Sequence, residues 1–114
     1  MKRVLVVDDE QSVRTLVSLS LEGPDCKVEA FCDGRDALEA LNEEYPDLIL
    51  LDVGLPGMRG DEVLRRLRAD KRTASIPVVL LTGLEPPEGS QPDGIIMKPF
   101  TPDSLRGSVQ NWLS

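Results

Sequence analysis

The sequence predicts a doubly wound α/β domain, a five-stranded parallel sheet with helices packed on its faces. Three observations predict it. Aliphatic runs of strand length recur at Arg3–Val7, Leu48–Leu51, Pro77–Leu81 and Ile95–Met97. Segments with apolar residues at helical spacing lie between most of them. The central run, Leu48-Ile49-Leu50-Leu51, has no polar alternation, as expected of a strand buried on both faces of a helix-covered parallel sheet.

After the first strand, Val13, Leu16, Val17 and Leu21 fall near one helical face, and Gly23-Pro24 stops that helix. Lys27–Cys32 alternates polar and apolar residues and reads as an edge or half-covered strand. Asp33-Gly34 turns the chain into a helix over Asp36–Asn42, with Ala37, Leu38 and Leu41 inward. Tyr45-Pro46 ends it and leads into the central strand. Beyond Gly57-Met58-Arg59-Gly60, Asp61 suits a helix N-cap or first turn, and Val63, Leu64 and Leu67 form the buried stripe. Arg65, Arg66, Arg68, Lys71 and Arg72 make the outer face and tail basic. They read as a solvated face, with partner docking the alternative. At the C-terminal end, Thr101 can cap a helix whose first position is Pro102. Leu105, Val109, Trp112 and Leu113 recur along it as core-facing residues.

One connection breaks the pattern. Only Leu84–Asp93 separates Gly83 from Gly94, with three prolines and a glycine among them. A parallel crossover usually takes about 10–12 residues including its helix. Prolines also remove helical donors. The helix expected here, the fourth in a regular alternation, is predicted to be shortened or absent, leaving an irregular loop or a single turn.

At 114 residues the chain is read as one domain, residues 1–114, large enough for a hydrophobic core. A net charge of −7 argues against direct nucleic-acid binding, which needs a basic face. No apolar run is long enough to span a membrane, and Met1-Lys2-Arg3 does not open a signal peptide. The expectation is therefore a cytoplasmic protein with no membrane insertion. Cys26 and Cys32 are too few for a disulfide framework and lack metal-ligand spacing. The absence of histidine excludes imidazole-based catalytic triads and most zinc sites.

The chemistry lies at the strand ends. In open parallel sheets, ligands bind outside the carboxyl ends of the strands. The first strand ends in Asp8-Asp9-Glu10, the third in Asp52, the fourth in Thr82-Gly83 and the fifth in Lys98-Pro99. If the strands are parallel, acids, a hydroxyl and an ammonium converge on one edge. The clustered acids could hold a cation.

Together with Leu55-Pro56-Gly57-Met58-Arg59-Gly60 and Lys98-Pro99-Phe100, this order resembles the receiver domain of two-component response regulators, over the whole chain. The resemblance implies the flavodoxin-like strand order 2-1-3-4-5 and a switch rather than an enzyme acting on outside substrates. Asp52 is then the phosphoacceptor, loaded by a sensor histidine kinase or a phosphotransfer protein, and the output goes to a downstream protein target. Asp8, Asp9, Asp52 and the Gly54 carbonyl hold Mg²⁺, which favours octahedral oxygen ligands. Lys98 and Thr82 assist with a charge and a hydroxyl, and Lys98-Pro99 is cis. The resemblance also covers the chain's own phosphorylation and dephosphorylation, its only catalysis.

Two features depart from that pattern. Ile95 stands where the family usually has an aromatic residue, so the chain departs there from the pattern of a switch that reports by ring rotation. The short 84–93 segment changes the surface that the family commonly uses for output. Phosphorylation is expected to act on this segment through Thr82 and Gly83. The chain could be a stand-alone receiver or part of a larger regulator. A phosphorylation-independent interaction module is the alternative function. An aspartyl-phosphate hydrolase would place its two acids two residues apart, whereas Asp8 and Asp9 are adjacent.

Overall fold

The structure is a computed structural model that describes residues 1–83, 85–86 and 88–113. Among the described residues the chain forms five strands, β1 (Lys2–Val7), β2 (Cys26–Phe31), β3 (Leu48–Asp52), β4 (Val78–Thr82) and β5 (Gly94–Met97), and four helices. These are α1 (Gln11–Leu21), α2 (Gly34–Ala40), α3 (Gly60–Ala69) and α4 (Pro102–Leu113). All strand pairs are parallel and the sheet order is β2-β1-β3-β4-β5. The doubly wound reading and the 2-1-3-4-5 order therefore hold.

The unbroken aliphatic run of β3 is explained by two cores. Ile49 and Leu51 point into a layer with Ala37, Val63, Leu64 and Leu67 of α2 and α3. Leu48 and Leu50 point into the opposite layer, with Val17 of α1 and Leu105 and Val109 of α4. Both faces of the strand are dry, so no position is free for a polar residue until Asp52. β2 is an edge strand with a half-covered burial pattern, which is why its sequence alternates.

The helix ends follow their capping chemistry. Asp33 accepts from the Asp36 amide at 2.8 Å, so α2 begins at Gly34, earlier than the predicted Asp36. It ends at Ala40, before the predicted Asn42, where turns begin. Thr101 Oγ1 accepts from the Ser104 amide at 3.1 Å, and Pro102 is the first residue of α4. Asp61 lies in the first turn of α3, where its charge favours the helix N-terminus.

Between Gly83 and Gly94, no described residue is helical; Glu88 and Gly89 form a turn, with Gly89 at φ +83°. Two residues of this predicted helix-free segment, Leu84 and Pro87, lie outside the described residues. One consequence shows in β5. Only Ile96 is buried, while Ile95 is 46% and Met97 52% exposed. The segment that enters β5 is anchored instead by Arg68. Its guanidinium donates to the Ala74 carbonyl (3.0 Å), the Ile76 carbonyl (2.8 Å) and Asp93 Oδ2 (2.6 Å). Asp93 Oδ2 also accepts from the Val78 amide at 2.8 Å. Trp112 is half-buried against the α1/α4 core and covers Gly94, where a Cβ would meet its ring at 2.9 Å. No helix among the described residues is long and apolar enough to cross a membrane.

Candidate acid site at the carboxyl edge of the sheet

Parallel pairing brings the ends of β1, β3, β4 and β5 to one edge. The register aligns Val7 with Leu51, Asp52 with Leu81, and Thr82 with Met97. Asp8, Asp52, Thr82 and Lys98 follow from that alignment as neighbouring strand ends. Side chains of Asp8, Asp9, Asp52 and Lys98 come together there. One carboxylate oxygen from each of Asp8, Asp9 and Asp52 lies within 4.8 Å of the others.

Asp8 is fully buried and is held from several sides. Its amide donates to the Phe31 carbonyl at 3.1 Å, and its own carbonyl accepts from Arg14 Nη1 at 2.7 Å. Its Oδ1 accepts from the Glu10 amide at 2.9 Å. Its Oδ2 pairs with Lys98 Nζ at 2.8 Å. Asp9 is exposed at the mouth of the site. Asp52 is 7% exposed; its Oδ1 lies 3.5 Å from Lys98 Nζ and accepts from the Gly54 amide at 3.3 Å. Glu10 Oε1 stands 3.8 Å from the same ammonium. Thr82 is buried, and its carbonyl accepts from the Lys98 amide at 2.8 Å, which ties the end of β4 to the lysine. The Lys98–Pro99 bond is cis.

The electrostatics follow from this crowding. Burial pushes the Asp52 carboxyl above its ordinary value, and the Asp8 charge adds to the rise; Lys98 and the Gly54 amide oppose it. For Lys98, burial favours the neutral amine. The hydrogen bond and charge of Asp8, with the charges of Asp52 and Glu10, outweigh it and raise the pKa.

Three converging carboxylates offer the hard oxygen donors that a small divalent cation such as magnesium takes. Gly54 is exposed, and a side chain there would meet nothing within 4 Å, so a backbone ligand at this position places no demand on residue type. Two contributors escape sequence reading. Arg14 supports Asp8 through the backbone, a contact without a periodic signature. Gly60 lies so close under Asp52 that a Cβ would run into the Asp52 carbonyl. Its amide also donates to the Val53 carbonyl at 2.9 Å. The glycine that opens α3 in Met58-Arg59-Gly60 is the one available hint of it.

Known proteins share both sequence and fold with this chain. The DNA-binding response regulator MtrA of Mycobacterium tuberculosis is 41% identical across 96% of this chain, which matches 49% of MtrA. The chain thus spans about half the length of the curated relatives it matches. The chemotaxis response regulator CheY4 of Vibrio cholerae superposes with a TM-score of 0.90 at 34% identity, covering 99% of both chains. The receiver domain of the sensor histidine kinase PA1611 from Pseudomonas aeruginosa, solved with a magnesium ion coordinated in its active-site cleft, superposes with a TM-score of 0.85 at 25% identity, covering 98% of this chain and 97% of that one. With residues 4–110 matching the family described as the response regulator receiver domain, the chain belongs to that family.

Proposed function

We propose that Asp52 accepts a phosphoryl group from a sensor histidine kinase or phosphotransfer protein, and that the aspartyl phosphate switches a cytoplasmic signalling output. The convergence of the Asp8, Asp9 and Asp52 carboxylates, with the Lys98 ammonium beside Asp8 and Asp52, carries this reading. A carboxylate approaching a phosphoryl group meets like charge, and phosphoryl transfer is catalysed mainly by positioning and charge stabilisation. Magnesium held by Asp8, Asp9, Asp52 and the Gly54 carbonyl would neutralise phosphoryl oxygens when bound.

The chain's own residues do the rest. An Asp52 carboxylate oxygen forms the new O–P bond as the donor's P–N bond breaks. The electron pair leaves with nitrogen, which takes a proton from solvent. Lys98, already 3.5 Å from Asp52, balances the charge on the phosphoryl oxygens, and the Thr82 hydroxyl donates to one of them. Hydrolysis of the aspartyl phosphate by the same residues resets the switch, so the chain's catalysis is confined to its own acceptor. We take residues 1–114 as one receiver unit that reads a protein target and makes no direct nucleic-acid contact.

The test is an intact mass after incubation with magnesium and phosphoramidate. One added phosphoryl group, absent with EDTA and absent in Asp52→Asn, is the expected result. Equal labelling of Asp52→Asn would overturn the acceptor assignment. No gain, together with no magnesium binding, would favour the phosphorylation-independent module.

A further inference from the structure

A groove of about 680 Å³ runs between α3 and the chain at Glu88–Gln91. Five arginines line it, Arg35 from α2 and Arg59, Arg65, Arg66 and Arg68 from the start and outer face of α3. Only three carboxylates, Asp61, Glu62 and Glu88, face them. In a chain of net charge −7 this is a basic island. Its acids leave it under-neutralised. Asp61 pairs with Arg59 at 3.1 Å, while Glu62 is shared between Arg65 and Arg66. Arg68 is committed to Asp93, and Arg35 has no ion pair among the described residues. Half-buried Met58 adds an apolar surface.

Both walls of the groove follow, in the chain, strands that end at the acid site. The Gly57–Arg59 wall continues the chain beyond Asp52, and the Glu88–Gln91 wall continues it beyond Thr82. Each of these strand ends thus precedes one wall in sequence.

We infer that this groove docks an acidic, aliphatic-bearing segment of the output partner, with an affinity set by the phosphorylation state of Asp52. The inference rests on the acceptor reading above. Guanidinium groups suit carboxylates through paired hydrogen bonds. The interspersed Asp61, Glu62 and Glu88 disfavour a continuous phosphate track, and the acidic remainder of the chain repels nucleic acid.

The experiment uses the full chain and a short fluorescein-labelled peptide of repeating Glu-Leu-Asp, followed by anisotropy at physiological salt. Phosphorylation is verified by intact mass before peptide is added. The expected result is saturable binding whose affinity differs severalfold between the two phosphorylation states. Arg35→Glu with Arg65→Glu should weaken it about tenfold, as reversing charges across an interface does. Lys27→Glu, on the far edge strand, should leave it unchanged. Both groove arginines are exposed, so the double variant should keep the parent's circular dichroism spectrum. A mass gain without peptide binding overturns the groove inference and spares the acceptor reading. Absence of a mass gain overturns the acceptor reading and the coupling together. Equal weakening by Lys27→Glu, or tighter binding of a DNA duplex of equal charge, also overturns the assignment.

Discussion

Lys98 Nζ lies closer to Asp8 Oδ2, at 2.8 Å, than to Asp52 Oδ1, at 3.5 Å. The ammonium is thus bonded to the acceptor's neighbour and stands beside the acceptor itself. Asp8 is fully buried, so this contact compensates a charge with little access to water. Lys98→Ala should destabilise the protein by roughly 2–3 kcal/mol in EDTA. That is below the roughly 3–5 kcal/mol typical of a broken buried pair, because Lys98 is partly exposed. Urea unfolding checks this. Magnesium should restore more stability to the variant than it adds to the parent, while phosphoryl transfer stays slow.

Asp52→Asn should stabilise the metal-free fold at pH 7. Burial and Asp8 raise the folded-state pKa of Asp52 above its ordinary value, so its ionised form costs folding free energy. In the window between the ordinary and raised values the folded state binds more protons. Stability therefore falls as pH rises through it. The difference in Tm between Asn variant and parent should be largest at neutral pH. It should close as the pH falls through the raised value toward 3.8. Magnesium should narrow it at pH 7 by binding the folded parent. A parent more stable than the variant at pH 7 in EDTA would contradict the assigned burial cost.

Gly60→Ala should be costly because the new Cβ meets the backbone of Asp52 and Val53, which cannot swing aside. Overpacking of this kind costs roughly 1–3 kcal/mol. It should also slow phosphoramidate labelling, since the displaced backbone carries the acceptor. Gly54→Ala provides the contrast. Its Cβ meets nothing within 4 Å, and its effect on the urea midpoint should stay within about 0.5 kcal/mol.

The two cysteines should separate by reactivity. Burial, with the charges of Glu22 and Asp47, raises the Cys26 thiol above its ordinary value. The thiolate is the reactive form, so Cys26 should alkylate slowly at pH 8 and speed up as pH rises. Cys32 is exposed. Peptide mapping after brief iodoacetamide treatment should find the first label on Cys32.

The sheet and the acid cluster were legible because both rest on simple signals. A strand covered on both faces has no polar position, so Leu48–Leu51 announced itself, and the acids follow directly where such runs stop. That no described residue between Gly83 and Gly94 is helical was legible from the prolines there. The run Ile95-Ile96-Met97 was less so: it reads as uniformly apolar, yet two of its side chains are exposed, and no described residue of the segment before it is helical. The roles of Arg14, Gly60 and Arg68 were hidden. Each acts through backbone groups, and the Arg68–Asp93 pair joins residues from different elements without any periodic pattern.

The Arg68 anchor has a consequence for how the chain can be altered. Asp93 is held to α3 and to the Val78 amide, and the Thr82 carbonyl is held by the Lys98 amide. Thr82 and Asp93 are therefore two fixed posts, one on either side of the proline-rich segment. Lengthening such a stretch adds only closure entropy, about 0.6 kcal/mol for each doubling. Members of a lineage could gain or shed a whole helix here without disturbing the acid site, and an engineer could splice a reporter peptide into the same span.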